Sequence, residues 1–266
     1  MTNEVFNCRR FGAWFKYDLK QMWRNQMKAA IGIGLSGLIL YAIVISFNLV
    51  VHQTWQGPNA DGRIAVFVIA FIALEFLQTR TYGFLTKKSK GSAWLMAPAS
   101  TLEKWTGMMI MTLIVIPVLF LVAYFGVDWL LCSIDHTLGN SIISDISGVV
   151  SNYRASLVAG TDMVGIGSLI WILIATFCVN FLYFLLCGVV FKKHKIIWGL
   201  VVMFVVSMLL SLIGNASLNM DIEISSREML AGSAPSEMIN RIAAISTVIA
   251  AGLAGGVFYR LKTIKH

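Results

Sequence analysis

Residues Ala29 to Val51 read AAIGIGLSGLILYAIVISFNLVV, 23 positions without one charged side chain. At 1.5 Å per residue a helix of that length covers about 35 Å, enough to cross a hydrocarbon core of about 30 Å. No water reaches the backbone inside lipid, so a helix is the expected structure. Five further apolar blocks follow: Ile64 to about Leu85, Gly107 to about Leu131, Met163 to Phe191, Ile196 to Gly214 and Ile242 to Tyr259. Of the 266 residues, 58% are hydrophobic and 13% charged, far less charge than a soluble domain carries. The expected fold is all-α: one polytopic membrane domain with six transmembrane helices over residues 29–259, an amphipathic interfacial helix over 1–28 and a cytosolic tail at 260–266. The second block turns polar after Leu77. The fourth exceeds what a bilayer needs and is expected to tilt or protrude.

Orientation follows from the basic residues. Arg9, Arg10, Lys16, Lys20, Arg24 and Lys28 precede the first block. Arg80, Lys87, Lys88, Lys90 and Lys104 lie between the second and third, Lys192, Lys193 and Lys195 after the fourth, and Arg260, Lys262 and Lys265 after the sixth. The other side holds only Arg63, Arg154, Arg227 and Arg241, a ratio of 17 to 4 that puts both termini in the cytosol. Most acidic residues fall on the outer side, so the net charge of +8 is a topology signal and calls for no nucleic-acid partner.

Taken in order, the polar start is long and the first span lacks a small-residue cleavage site, so no secretory signal is expected. Phe11, Trp14, Phe15, Leu19, Met22 and Trp23 share one helical arc, while Lys16, Lys20, Arg24 and Lys28 repeat on the opposite one. That pattern predicts a helix lying in the cytosolic membrane interface. Asp18 falls inside the apolar arc, which lipid alone does not explain. It either meets a protein partner or pairs with a neighbouring lysine.

Inside the second block, Glu75, Gln78, Thr79 and Tyr82 are spaced i, i+3, i+4, i+7 and share one face. An intramembrane carboxylate faces the bundle interior or a water-filled cavity. Two readings stand: a polar wall lining an inward cavity, or a structural hydrogen-bond network. Small residues at Gly32, Gly34, Ser36 and Gly37, and again at Gly252 and Gly256, predict close helix packing, and Pro117 predicts a kink in the third span. Ser133 to Thr161 reads as an outer loop with one amphipathic turn around Ile142, Ile143 and Ile146. Asn180 reads as an interhelical hydrogen bond.

Between the second and third blocks lies GSAWLMAPASTLEKWTG, residues Gly91 to Gly107. Trp94, Leu95 and Met96 supply an apolar piece, and Pro98 stops it by lacking an N–H and restricting Ala97. Ser100 or Thr101 can cap a new helix, with Glu103 close to the cap as in a capping box. The stretch reads as a structured loop suited to a cytosolic partner, or as a juxtamembrane loop with Trp94 and Trp105 as interface anchors.

Chemical motifs argue against an enzyme. There is no G-x-x-x-x-G-K-[ST] and no H-E-x-x-H, and the four histidines and four cysteines have no metal-site spacing. No metal site and no cofactor held by this chain is expected.

With an amphipathic amino-terminal helix, six spans, both ends inside and a structured second-to-third loop, the chain resembles an ABC type-2 permease. The local match is Lys90-Gly-Ser-Ala-Trp-Leu-Met-Ala-Pro-Ala-Ser100, similar to that family's small-residue, leucine, then proline–small–serine pattern. The resemblance implies a bacterial inner-membrane exporter subunit working as a dimer with itself or a related chain. It implies a separate cytosolic ABC ATPase that binds ATP and Mg. It makes Trp94, Leu95, Met96, Pro98, Leu102, Glu103 and Lys104 the ATPase-coupling loop, with the helix carrying Trp14, Lys16, Asp18, Lys20, Trp23 and Arg24 beside it. Family members often place a hydrophobic re-entrant hairpin between the fifth and sixth spans, whereas Asn215 to Asn240 here is largely polar. The alternative is a non-transporting membrane scaffold that anchors an envelope complex.

Overall fold

A computed structural model describes residues 6–86, 91, 94, 96–158, 165–206, 208 and 234–263. The described residues are helical, joined by turns, with no strand among them. The helices are α1 (Cys8–Met22), α2 (Lys28–Gly34), α3 (Ser36–Val51), α4 (Ala60–Thr81), α5 (Thr101–Ile110), α6 (Ile116–Ile134), α7 (Ile142–Val158), α8 (Ile166–Val190), α9 (Lys195–Val206) and α10 (Ala234–Thr263). Four stretches are long and apolar enough to cross a membrane: Lys28–Val51, Thr101–Ile134, Ile166–Val190 and Ile239–Thr263. α4 has the length, at 22 residues, but carries Asp61, Arg63, Glu75 and Arg80, and α9 is shorter.

Local chemistry explains the element boundaries. Asn59 caps α4 by accepting from the Gly62 N–H, and Ser100 caps α5 in a full capping box with Glu103. Of the two candidate caps Ser100 and Thr101, the hydroxyl at 100 is the one used. The expected disturbance at Pro117 takes the form of a π turn, Met111–Val115, between α5 and α6. Pro117 has no N–H for the Leu113 carbonyl and its ring crowds that group; widening the preceding turn relieves both.

Three expectations need correction. The segment after α6 holds α7, a helix of 17 residues, where one amphipathic turn was expected. Ser141 starts it by accepting from the Ser144 N–H, and Asp128 accepts from the Ile142 N–H, so the first turn is anchored to α6. The sixth apolar helix already includes Ala234, eight residues ahead of Ile242. The apolar arc of α1 faces the rest of the chain: Trp14, Asp18 and Met22 are buried within the protein, while Lys16 and Lys20 are exposed. Trp23, at the edge of that arc where the helix widens into a π turn, is 52% exposed. The Arg24 side chain, Leu95, and residues 209–233 of the polar outer segment lie outside the described residues.

Packing places α10 along α8, α8 along α4, and α2 along α6. Gly34 meets α6 at Ala123 and Phe120, as its small size predicts. Gly252 faces open space, whereas Gly256 lies against Leu186 of α8, so the two glycines serve different surroundings. The closest crossing is at Gly188, where an added Cβ would sit 2.6 Å from the Thr79 carbonyl oxygen and 3.0 Å from its Cα. Those are backbone atoms and cannot swing aside. Gly188→Ala is therefore expected to force α8 off α4 and to destabilise by about 1–3 kcal/mol. Gly252→Ala, into open space, is expected to be neutral or stabilising by up to about 1 kcal/mol through helix propensity. Thermal melting of the two purified variants checks the contrast.

Candidate functional site

Two polar assemblies lie at opposite ends of α4, and each joins segments distant in sequence. At the basic end, Asp18 of α1 is fully buried. One carboxylate oxygen accepts from the Tyr82 hydroxyl at 2.8 Å and the other from the Trp94 indole N–H at 2.9 Å. Burial raises the Asp18 pKa, and the two hydrogen bonds oppose the rise. Trp94 is 2% exposed, with the Trp14 ring edge-on at 5.6 Å, the Tyr82 ring at 6.0 Å and the Lys104 ammonium 5.7 Å from its centroid. Trp14 in turn lies over Gly107, where any Cβ would strike the indole.

One turn earlier on α1 the same surfaces are held by charge. Glu103 is fully buried and accepts from the Arg10 guanidinium at 2.7–3.0 Å, from the Asn7 backbone N–H at 2.9 Å and from the Ser100 backbone N–H at 2.8 Å. A single carboxylate thus closes the capping box of α5 and clamps the start of α1 to it. Asn7 completes the α1 entry by accepting from the Arg9 and Arg10 N–H groups. Two more cross-links reach the later helices. Lys195, at the start of α9, donates to the Gly83 carbonyl at 2.6 Å, the Thr86 hydroxyl at 2.9 Å and the Gly188 carbonyl. Trp105 donates to the Ala254 carbonyl of α10 at 2.9 Å.

Trp94, Glu103 and Lys104 are therefore not a protruding docking tip. They are buried: α1 supplies a carboxylate and an indole to Trp94 and a guanidinium to Glu103, and Lys104 lies over the Trp94 ring. What projects from this assembly is Met96, 82% exposed, followed by Pro98 and Leu102, which is 42% exposed. On α1 the outward side carries Lys16, Tyr17 and Lys20.

The shared polar face of α4 divides its work. Tyr82 binds Asp18, and Thr79 donates to the Phe76 carbonyl while its own backbone meets Gly188. Glu75 is half-buried and accepts from the Asn180 amide at 3.3 Å, which gives Asn180 its interhelical partner. Gln78 is buried, with neither amide atom hydrogen-bonded to another protein group.

The opposite end was not marked by the sequence reading. Arg63 of α4 and Asp128 of α6 form a buried ion pair at 2.7 Å. Arg63 also donates to the Leu138 carbonyl at 3.1 Å and the Asn140 carbonyl at 2.8 Å, and Tyr124 donates to the Arg63 carbonyl at 2.6 Å. Beside them Asp135 accepts from the Tyr41 hydroxyl at 2.9 Å and the Trp55 indole at 3.2 Å. The available signal was two opposite charges at the same rim of two neighbouring apolar blocks.

Among the described residues there is no group of three or more His, Cys, Asp or Glu placed to hold a metal ion. No protein-family model matches the chain, and no curated protein or solved structure matches it. The class is set by the fold itself: an all-helical, multi-pass membrane protein whose basic end is an interlocked cap made from α1, Tyr82, Trp94, Ser100 and the start of α5.

Proposed function

We propose that this chain is the membrane permease subunit of an ABC-type exporter, working as a dimer in the bacterial inner membrane and energised by a separate cytosolic ATPase. The observation that carries the reading is the cap. A partner that pushes on Met96 and Pro98 acts on a unit tied by Trp94 and Asp18 to α1, by Glu103 to α5, and through Gly83, Thr86 and Lys195 to α8 and α9. Such cross-linking suits the transfer of force from a soluble motor into several helices at once.

In this reading α4 and α9 cross the membrane with the four longer helices, giving six spans with both termini cytosolic. α4 supports that count, since Arg63 lies at the Asp128 end of the bundle and Tyr82 at the Asp18 end. The 17 to 4 bias of basic residues supports the orientation.

A second reading, the non-transporting scaffold, draws on one specific observation. Thr79 and Tyr82, half of the expected cavity wall, are engaged in packing against α8 and α1. The deciding experiment is affinity purification of the full chain in mild detergent, comparing wild type with Met96→Glu at matched expression. Under the permease reading a P-loop ATPase co-purifies with wild type. Burying a charge in place of an exposed anchor weakens its retention roughly tenfold or more, about 1.4 kcal/mol, with no change in melting. Recovery of envelope proteins without any ATPase supports the scaffold. Equal retention of the ATPase by both forms removes Met96 from the contact.

A further inference from the structure

We propose that the last two turns of α10 form a binding site for one anionic phospholipid, its phosphate on Lys262 and its acyl chains over Phe258 and Tyr259. An open groove lies there on the surface of α10, lined by Phe258, Tyr259, Lys262 and Thr263. The lining has the two halves an amphiphile requires. Phe258 and Tyr259 give an aromatic floor, and Lys262, one turn further on the same face, gives an exposed ammonium. The floor is built rather than incidental. The Trp105 ring of α5 stands edge-on to Phe258 at 6.0 Å, and its indole N–H is tied to the Ala254 carbonyl at 2.9 Å.

Depth argues for a lipid. The site closes the apolar stretch Ile239–Thr263 at the basic end of the bundle, where a crossing helix meets the headgroups of its leaflet. Aromatic rings at that level take the upper acyl chain and a lysine takes the phosphate. The Thr263 hydroxyl is spent on the Tyr259 and Arg260 carbonyls, each at 3.1 Å, so the polar recognition falls on Lys262. The site does not depend on whether an ATPase is the partner.

The test uses the full chain, delipidated in detergent and titrated with phosphatidylglycerol, with bound lipid counted by native mass spectrometry. Wild type is expected to retain one phosphatidylglycerol in preference to phosphatidylcholine. Lys262→Gln is expected to bind it about fivefold more weakly, the factor expected of one basic residue at an anionic surface. Phe258→Ala is expected to lose selectivity for the lipid over soluble glycerol phosphate. Lys193→Gln, on an exposed turn, serves as the control and keeps wild-type binding. Melting is expected to be unchanged in Lys262→Gln because that side chain is exposed, so its loss of lipid is not a loss of fold. The proposal is overturned if Lys262→Gln binds phosphatidylglycerol as well as wild type does. Equal retention of both phospholipids by wild type overturns it too. Displacement of the lipid by millimolar inorganic phosphate makes the site one for free phosphate and likewise ends the proposal.

Discussion

Trp94→Ala is expected to destabilise the protein by about 3–5 kcal/mol, as removal of a buried tryptophan does. The side chain is 2% exposed and contacts Trp14, Tyr82 and Lys104. Its loss leaves a cavity between α1 and the start of α5, and leaves one oxygen of the buried Asp18 carboxylate without a donor. An unsatisfied group of that kind costs about 1–3 kcal/mol. Trp94→Phe separates the two terms, because it keeps most of the ring and removes the N–H. Met96→Ala, two residues on and 82% exposed, is expected to stay within about 0.5 kcal/mol of wild type. Thermal melting of the full chain in detergent checks the order: Trp94→Ala lowest, Trp94→Phe intermediate, Met96→Ala near wild type. The consequence for function is that loss of a partner in Trp94→Ala would report a collapsed cap. Met96 is the position at which docking can be tested without unfolding.

The second large effect is expected at the opposite end. Arg63 and Asp128 are paired at 2.7 Å with side chains only 6% and 7% exposed. Removing one partner leaves a buried charge, which costs about 3–5 kcal/mol. Arg63→Ala also removes the donor of the Leu138 carbonyl and leaves the Asn140 carbonyl only the weak Cys132 thiol, so the turn between α6 and α7 loosens together with α4. Arg63→Lys does not rescue it, since one ammonium cannot reproduce the guanidinium fork that holds Asp128 on one nitrogen and two carbonyls on the other. The double variant Arg63→Met with Asp128→Leu is expected to recover part of the loss, because it removes both charges at once. A double-mutant cycle read by melting, with proteolysis near residue 140 as the local probe, checks both the coupling and its place.

Much of this architecture could be read along the chain. The long apolar helices are a property of composition within a window, and a window of some 20 residues contains all the information needed. The α5 start is equally local: Ser100 and Glu103 are three residues apart, and a capping box needs nothing else. Pro117 likewise carries its own disturbance. α7 was underestimated because its isoleucines and valines are mostly exposed, so no buried face marked the helix; the anchor that starts it, Asp128, lies 14 residues back.

What the sequence by itself determined is the class: an all-helical chain with several helices long and apolar enough to cross a membrane. What only the tertiary structure decided is which face meets what. The amphipathic pattern of α1 says that one side avoids water, and it says the same whether the cover is lipid, a partner or the chain itself. Asp18 found Tyr82 at a separation of 64 residues and Trp94 at 76, and Glu103 found Arg10 at 93. Periodicity does not encode pairings over such distances, because they are settled by how helices stack and by the need of every buried donor and acceptor for a partner. That requirement turned Trp94 from an expected docking tip into the centre of the cap and left Met96 at the surface.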